Sequence, residues 1–404
     1  MDMSRHLRRL LAASPMAGNP AEIDKELVES QRQPRFGTSN PERMRLAFWE
    51  WIIRGDLGPG SAVEPDEADD EVEDEDEDEI PIGYSPVEVR TRFELPPPEG
   101  GDPIWTFQRM GATRTLLPDG RVVCVGGEHE DYYDPDFSIY NDVIVISPTG
   151  DIEIYGYPRD LFPPTDFHTA TLVGDRLWII GNVGYFGERR LGTTQVFELD
   201  LSTYRMKPVT TSGEGPGWIA NHEAEVDADG VITIRGGEVL EEVGGDERIR
   251  PNYEDYSLNT RSGAWEQLTS RNWRHYSIRD EEERLFVIGT APDFGELFDP
   301  SQDFLETQEF LPEALSDPFD TFSYVSYEEI FPRNVAYELA SEPDWNEARI
   351  LVEGVPVCFQ VKGSTIEVVI EGDMGEEAAR RLIEEVLANI EASTKRKCLL
   401  ESYP

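Results

Sequence analysis

The sequence predicts a mainly β fold in which four-stranded antiparallel sheets stack radially, flanked by N-terminal helices and a small C-terminal α+β unit. Three observations carry this prediction. A short apolar strand ending in glycine recurs as RVVCVGG at 121–127, RLWIIGN at 176–182, VITIRGG at 231–237 and RLFVIGT at 284–290. Its glycines, Gly126, Gly181, Gly236 and Gly289, are spaced by 55, 55 and 53 residues, the mark of a repeat architecture. Each strand follows a turn (PDG, GD, ADG, DEEE), and before the turn lies a first strand, TRTLL, HTATLV, HEAEV or HYSIR. A variable loop then leads to a third strand (VIVIS, QVFELD, DYSLN, ELFD), and Ile152, Tyr204, Trp265 and Phe304 mark the start of a fourth. Such a meander cannot bury both faces alone, so its neighbours must cover it.

Along the chain, 404 residues exceed one ordinary domain. Charge and punctuation give four segments: 1–58 helical, 59–80 an acidic linker, 81–317 the repeats, and 318–404 an α+β unit. In MDMSRHLRRLLAASP, Leu7, Leu10 and Leu11 form one face of a short amphipathic helix, and the apolar core of a secretory signal is missing. Asn40-Pro41-Glu42 predicts a helix start with proline at the first helical position. Met44, Phe48, Trp49, Trp51, Ile52 and Ile53 then give it a wide apolar surface that must dock on the main domain. The run EPDEADDEVEDEDEDE, 64–79, holds thirteen carboxylates and no basic residue. Self-repulsion makes it a solvated spacer, the alternative being an acidic mimic of nucleic acid. ARILVEGVPVCFQVKGSTIEVVIEG, 348–372, reads as three short strands. The following helix carries an apolar stripe of Ala379, Leu382, Ile383, Val386, Leu387 and Ile390, and this unit has a structural or docking role.

The balance of 82 acidic against 36 basic residues, a formal charge of −46, excludes nucleic acid and anionic lipid as direct ligands. No apolar run is long enough for a transmembrane helix. Cys124, Cys358 and Cys398 are odd in number and far apart, and Cys124 and Cys358 sit in apolar strands. They read as core residues in a reducing cytoplasm.

With the Gly-Gly pair, the hydrophobic strand and the downstream aromatic in place, the repeats resemble Kelch motifs over about 105–305, half the chain. Gly-Gly is kept in the first and third units and becomes Gly181-Asn182 and Gly289-Thr290 in the others. The resemblance implies a β-propeller of about four recognisable blades. Residues 80–104, with part of 318–350, would supply a further divergent blade, or the C-terminal unit would complete the propeller. Some Kelch-type propellers are enzymes, copper oxidases and sugar isomerases among them, so the fold does not choose a function.

Candidate functional residues concentrate in the loops between second and third strands, which project from one face of a propeller. The first loop offers Glu128, His129, Glu130, Asp131, Asp134 and Asp136; the second Tyr185, Phe186, Arg189 and Arg190; the third Arg248, Arg250 and Tyr253. Arginine and aromatic side chains anchor protein interfaces, and adjacent acidic and basic loops also predict salt bridges within the face. His129, Glu130 and Asp131 have ligand atoms for a metal, although neighbours in an extended loop point apart and no glycine-centred calcium loop is present. His168, His222 and His275 open the first strands of three units and would face a central channel. Sheets about 10 Å apart make a shared ion with bonds near 2 Å a stretch; the Kelch resemblance instead implies a structural role. No phosphate loop, nucleophile elbow or paired-cysteine zinc pattern appears, and no catalytic residue or cofactor is assigned.

The leading functional expectation is a non-enzymatic protein-interaction module that binds a protein partner through the loop face. An inhibitor or immunity-type protein acting on a basic target is its specific form. The alternatives are a Kelch-type enzyme, metal-dependent or sugar-processing, using the acidic loop or central channel, and a structural subunit of a bacterial assembly held by the Trp-rich helix.

Overall fold

The computed structural model describes residues 3–13, 23–55, 82–98, 102–129, 135–243, 246–271, 273–288, 322–340, 343 and 346–403. The acidic run 64–79, the ELFD segment and Phe304 lie outside them. The protein is mainly β, with several antiparallel sheets and a few helices. It divides into two compact units, Met1–Thr269 and Ser270–Pro404.

In the first unit three successive repeats form the expected antiparallel meanders. The first sheet runs Thr113–Leu116, Val122–Val125, Val143–Ile146, Ile152–Gly156. The second runs Thr169–Val173, Arg176–Ile180, Val196–Asp200, Met206–Pro208. The third runs Glu223–Val226, Val231–Arg235, Tyr256–Asn259, Ala264–Gln267. The period of two along a strand sends alternate side chains to opposite faces, and the second sheet uses both. Leu177, Ile179, Phe197 and Leu199 pack on Val123, Val125, Val143 and Val145 of the first sheet. Trp178, Ile180 and Val196 pack on Ile232, Ile234 and Leu258 of the third. First strands of neighbouring sheets lie side by side.

The outer face of the first sheet, with Val122, Cys124, Ile144, Ile146, Ile152 and Ile154, is covered by the N-terminal segment. Leu7 and Leu11 of the helix Met3–Ala13 are fully buried there, with Phe48, Trp49, Ile52 and Ile53 of the helix Ala47–Arg54. Trp49 stacks on Trp105 at 4.5 Å between ring centroids. The expected helix start at Pro41 is not there. Glu42–Met44 instead forms a fifth strand paired with Ile152–Gly156, because an open sheet edge offers those three residues hydrogen bonds that a helix's first turn lacks. A helix at Pro86–Arg92, held by a Ser85–Glu88 capping box, was not anticipated.

Among the described residues, the first two strands of the fourth repeat do not pair with each other. HYSIR lies in Arg274–Asp280, inside a six-stranded antiparallel sheet of order Tyr337–Leu339, Glu347–Val352, Val355–Lys362, Thr365–Ile370, Arg274–Asp280, Cys398–Tyr403. Leu285–Ile288 pairs in parallel with Phe322–Val325. The division of the chain therefore falls after Thr269, not at 317/318. Nor do 80–104 and 318–350 build a divergent blade: 86–92 is helical, while 337–339 and 347–352 belong to the second unit's sheet. The physical reason is that Ile278, fully buried, packs with the stripe Ala379, Leu382, Ile383, Val386 and Ile390 of the helix Glu376–Thr394. A strand's apolar alternation fixes which face is buried, not which sheet receives it.

Candidate functional site

Repeat geometry decides the fate of the histidines first. His168 Nε2 lies 3.0 Å from Thr113 Oγ1, and His222 Nε2 lies 2.9 Å from Thr169 Oγ1. Each imidazole thus ties the first strand of one sheet to the first strand of the sheet before it. Ala112 stands at this position in the first sheet, before which the described residues hold no other sheet. Burial holds both rings neutral, lowering His168 to about 3 and His222 to about 4. His275 belongs to the second unit, hydrogen-bonded to Glu367 and stacked on Tyr403 at 4.5 Å. The three histidines do not form one metal site, and the described residues hold no group of three or more His, Cys, Asp or Glu placed for a metal.

The repeat glycines mark the same junctions. A Cβ on Gly126 would meet Thr165 O at 2.1 Å, and one on Gly181 would meet Ile219 O at 2.5 Å and His222 Cε1 at 2.7 Å. Gly236, third in the series, has nothing within 4 Å among the described residues.

The loops after these glycines are sewn together by the second one. Asn182, buried, accepts the Asp166 N–H at 2.9 Å and donates to Pro164 O at 3.0 Å. The Asp166 carboxylate accepts the N–H groups of Val183 (3.1 Å) and Gly184 (2.7 Å). Arg189 Nε donates back to Val183 O at 2.9 Å, and its Nη1 reaches across to Glu247 of the third loop at 2.7 Å. Toward the first loop, Tyr185 OH accepts the Ile139 N–H at 2.8 Å while its ring meets Phe137 edge-on at 5.6 Å. The third loop forms a hairpin, Glu238–Val243 with Asp246–Pro251, in which Arg250 bonds Glu241 at 2.9 Å. The first loop adds a short ladder, Glu128–His129 with Ser138–Ile139. Asp136 is buried opposite Arg90 at 3.6 Å.

The residues expected at the interface therefore divide. Arg189 and Arg250 are held in internal ion pairs, and Tyr185 bridges two loops. Phe186 and Arg190 are exposed, Phe186 by 79 %, and Ile249 on the hairpin by 59 %. Glu130, Asp131 and Asp134 lie outside the described residues, as does the side chain of Arg248. Ile249 was not anticipated, since the charges around it in DERIRP read as a solvated loop. A cavity of about 460 Å³ in this unit lies elsewhere, lined by Arg43, Arg45, Glu50, Glu153 and Tyr155. In the second unit a cavity of about 740 Å³ includes Trp273, His275, Arg380 and Tyr403. Among the described residues no helix is long and apolar enough to cross a membrane.

No family model and no curated protein matches this sequence. A solved structure described as that of YjhT is similar over 48 % of this chain and 57 % of its own, at 14 % identity and a TM-score of 0.27. The chain thus spans a little over half the length of that structure, and a likeness this loose fixes neither fold nor function.

Proposed function

We propose that the first unit is a protein-interaction module: its three meanders are blades of a Kelch-like propeller, and the loops 128–139, 182–194 and 237–251 bind a protein partner. Phe186 carries this reading. A large aromatic side chain that is 79 % exposed sits on a loop whose backbone and flanking side chains are fixed by Asp166, Asn182, Tyr185 and Arg189. Burying such a ring in a partner's pocket gains apolar area while little loop entropy remains to be lost. Ile249 on the third loop and Arg190 on the second are exposed as well. The charge of −46 favours a basic partner by speeding its encounter, and an inhibitor or immunity-type protein is the specific form this takes.

The test is affinity capture from the native host at moderate salt with the wild-type chain, Phe186→Ala and Val87→Ser as baits. Val87 is 68 % exposed on the helix Pro86–Arg92 and serves as the apolar control. A stoichiometric protein retained by wild type and Val87→Ser but lost from Phe186→Ala supports the proposal. A partner captured equally by all three places binding elsewhere.

A further inference from the structure

In the second unit the helix Glu376–Thr394 packs its apolar stripe on the six-stranded sheet. Between the start of that helix and the strands Arg274–Asp280 and Cys398–Tyr403 it leaves the cavity of about 740 Å³, a volume in the range of small-ligand sites. Strand alternation says which side chains look into it. Ile278 packs on the helix stripe, so Tyr276 and Arg274 lie on the same face of their strand. Ser402 and Leu400 stand opposite Tyr276 and Ile278 on the neighbouring strand and share that face. Tyr276, Leu400 and the helix residue Ile383 give the cavity an apolar wall, and Leu400 is 37 % exposed there.

The charged lining decides the ligand class. Arg380 is already paired with Glu384 at 3.1 Å. The partly buried Arg274 guanidinium has no hydrogen bond or ion pair among the described residues. A cation held there without an acceptor is unfavourable, and a bound carboxylate would supply two acceptor oxygens. A bare anion would also meet two carboxylates at the helix start: Glu376, unpaired among the described residues, and Asp373, whose Oδ1 takes the Gly375 N–H at 3.0 Å. The ligand therefore needs a positive end as well. We propose that this cavity binds a short peptide with free ends, its carboxylate on Arg274, its ammonium group on Asp373 and Glu376, and an apolar side chain against Tyr276, Leu400 and Ile383. The span is suitable. Arg274 pairs with Ile370, and Asp373 follows Ile370 by three residues, about 10 Å of chain at full extension and the length of a tripeptide. The site lies wholly in the second unit and does not depend on the loop surface of the first.

The test is calorimetric titration of the full chain with the tripeptide alanyl-leucyl-alanine, its C-terminal amide and its N-acetyl form. The free tripeptide is expected to bind, and each blocked form to bind at least about tenfold more weakly, because each removes one charge-assisted contact. Arg274→Gln should bind the free tripeptide and the amide alike while still rejecting the N-acetyl form. Glu376→Gln should narrow the gap between the free and N-acetyl forms and leave the preference for a free carboxylate. Neither side chain has a partner among the described residues, so both variants should unfold at the wild-type temperature. No binding of the free tripeptide at millimolar concentration would overturn the proposal. So would equal affinity for all three peptides, or a preference for the free carboxylate that survives Arg274→Gln. An N-acetyl form that binds as tightly as the free tripeptide would also overturn it, since the site would then read a carboxylate alone.

Discussion

His168 and His222 each serve as a neutral hydrogen-bonding peg between consecutive sheets, which gives them a defined pH signature. Their folded-state pKa values, about 3 and about 4, lie below the ordinary histidine value near 6.5. The unfolded chain therefore binds more protons below about pH 6.5, and stability falls from there toward pH 4. Thermal unfolding should show this slope in wild type and a shallower one in the His168→Gln/His222→Gln double variant. The glycines give a second prediction at this scale. Gly181 has φ +87° and no room for a Cβ, whereas Gly236, also at positive φ, faces open space among the described residues. Gly181→Ala should cost roughly 3 kcal/mol or more by adding a backbone clash, and Gly236→Ala about 1–2 kcal/mol from its backbone conformation alone. Equal costs in denaturant unfolding would remove the distinction. The spacing of these residues was legible in the sequence. Their roles were not, because histidines a repeat apart suit a channel metal as well as a peg until the threonine partners are known.

At the scale of elements, the second loop is the organiser: it binds Asp166 below it, Ile139 on one side and Glu247 on the other. Arg189→Ala should raise hydrogen exchange across 183–190 and cost about 1–3 kcal/mol by leaving Val183 O, Gly184 O and Glu247 without that donor. Unchanged exchange would mean the loop is held without it. The three meanders were legible because turn, apolar strand and glycine recur in register. The placement of Arg274–Asp280 was not, since HYSIR has the same alternation as the first strands before it and differs only in the partners that later chain supplies, Thr365–Ile370 and Cys398–Tyr403. The capping box at Ser85 was present in the letters S-P-V-E and marks a missed signal. The hairpin Glu238–Val243 with Asp246–Pro251 was hidden by its charge, which reads as a solvated loop although the backbone pairs throughout.

The whole molecule combines two compact units with a strongly negative charge. For a basic partner, the association rate should fall steeply with added salt, because long-range attraction is screened, while Phe186→Ala should act mainly on dissociation. Stopped-flow association at several ionic strengths separates the two; a salt-independent on-rate would exclude electrostatic steering. The overall charge and the mainly β character were legible from composition and periodicity. The state of the loop side chains was only partly so: Phe186 and Arg190 are exposed, and Arg189 and Arg250 are held in ion pairs because nearby glutamates offer them partners. The most direct measurement of the account is a hydrogen-exchange footprint of the captured partner's complex on the full chain. Protection confined to 183–190 and 238–251, and lost with Phe186→Ala, is the expected result. A footprint within 273–288 or 347–403, with the first-unit loops unchanged, would contradict it.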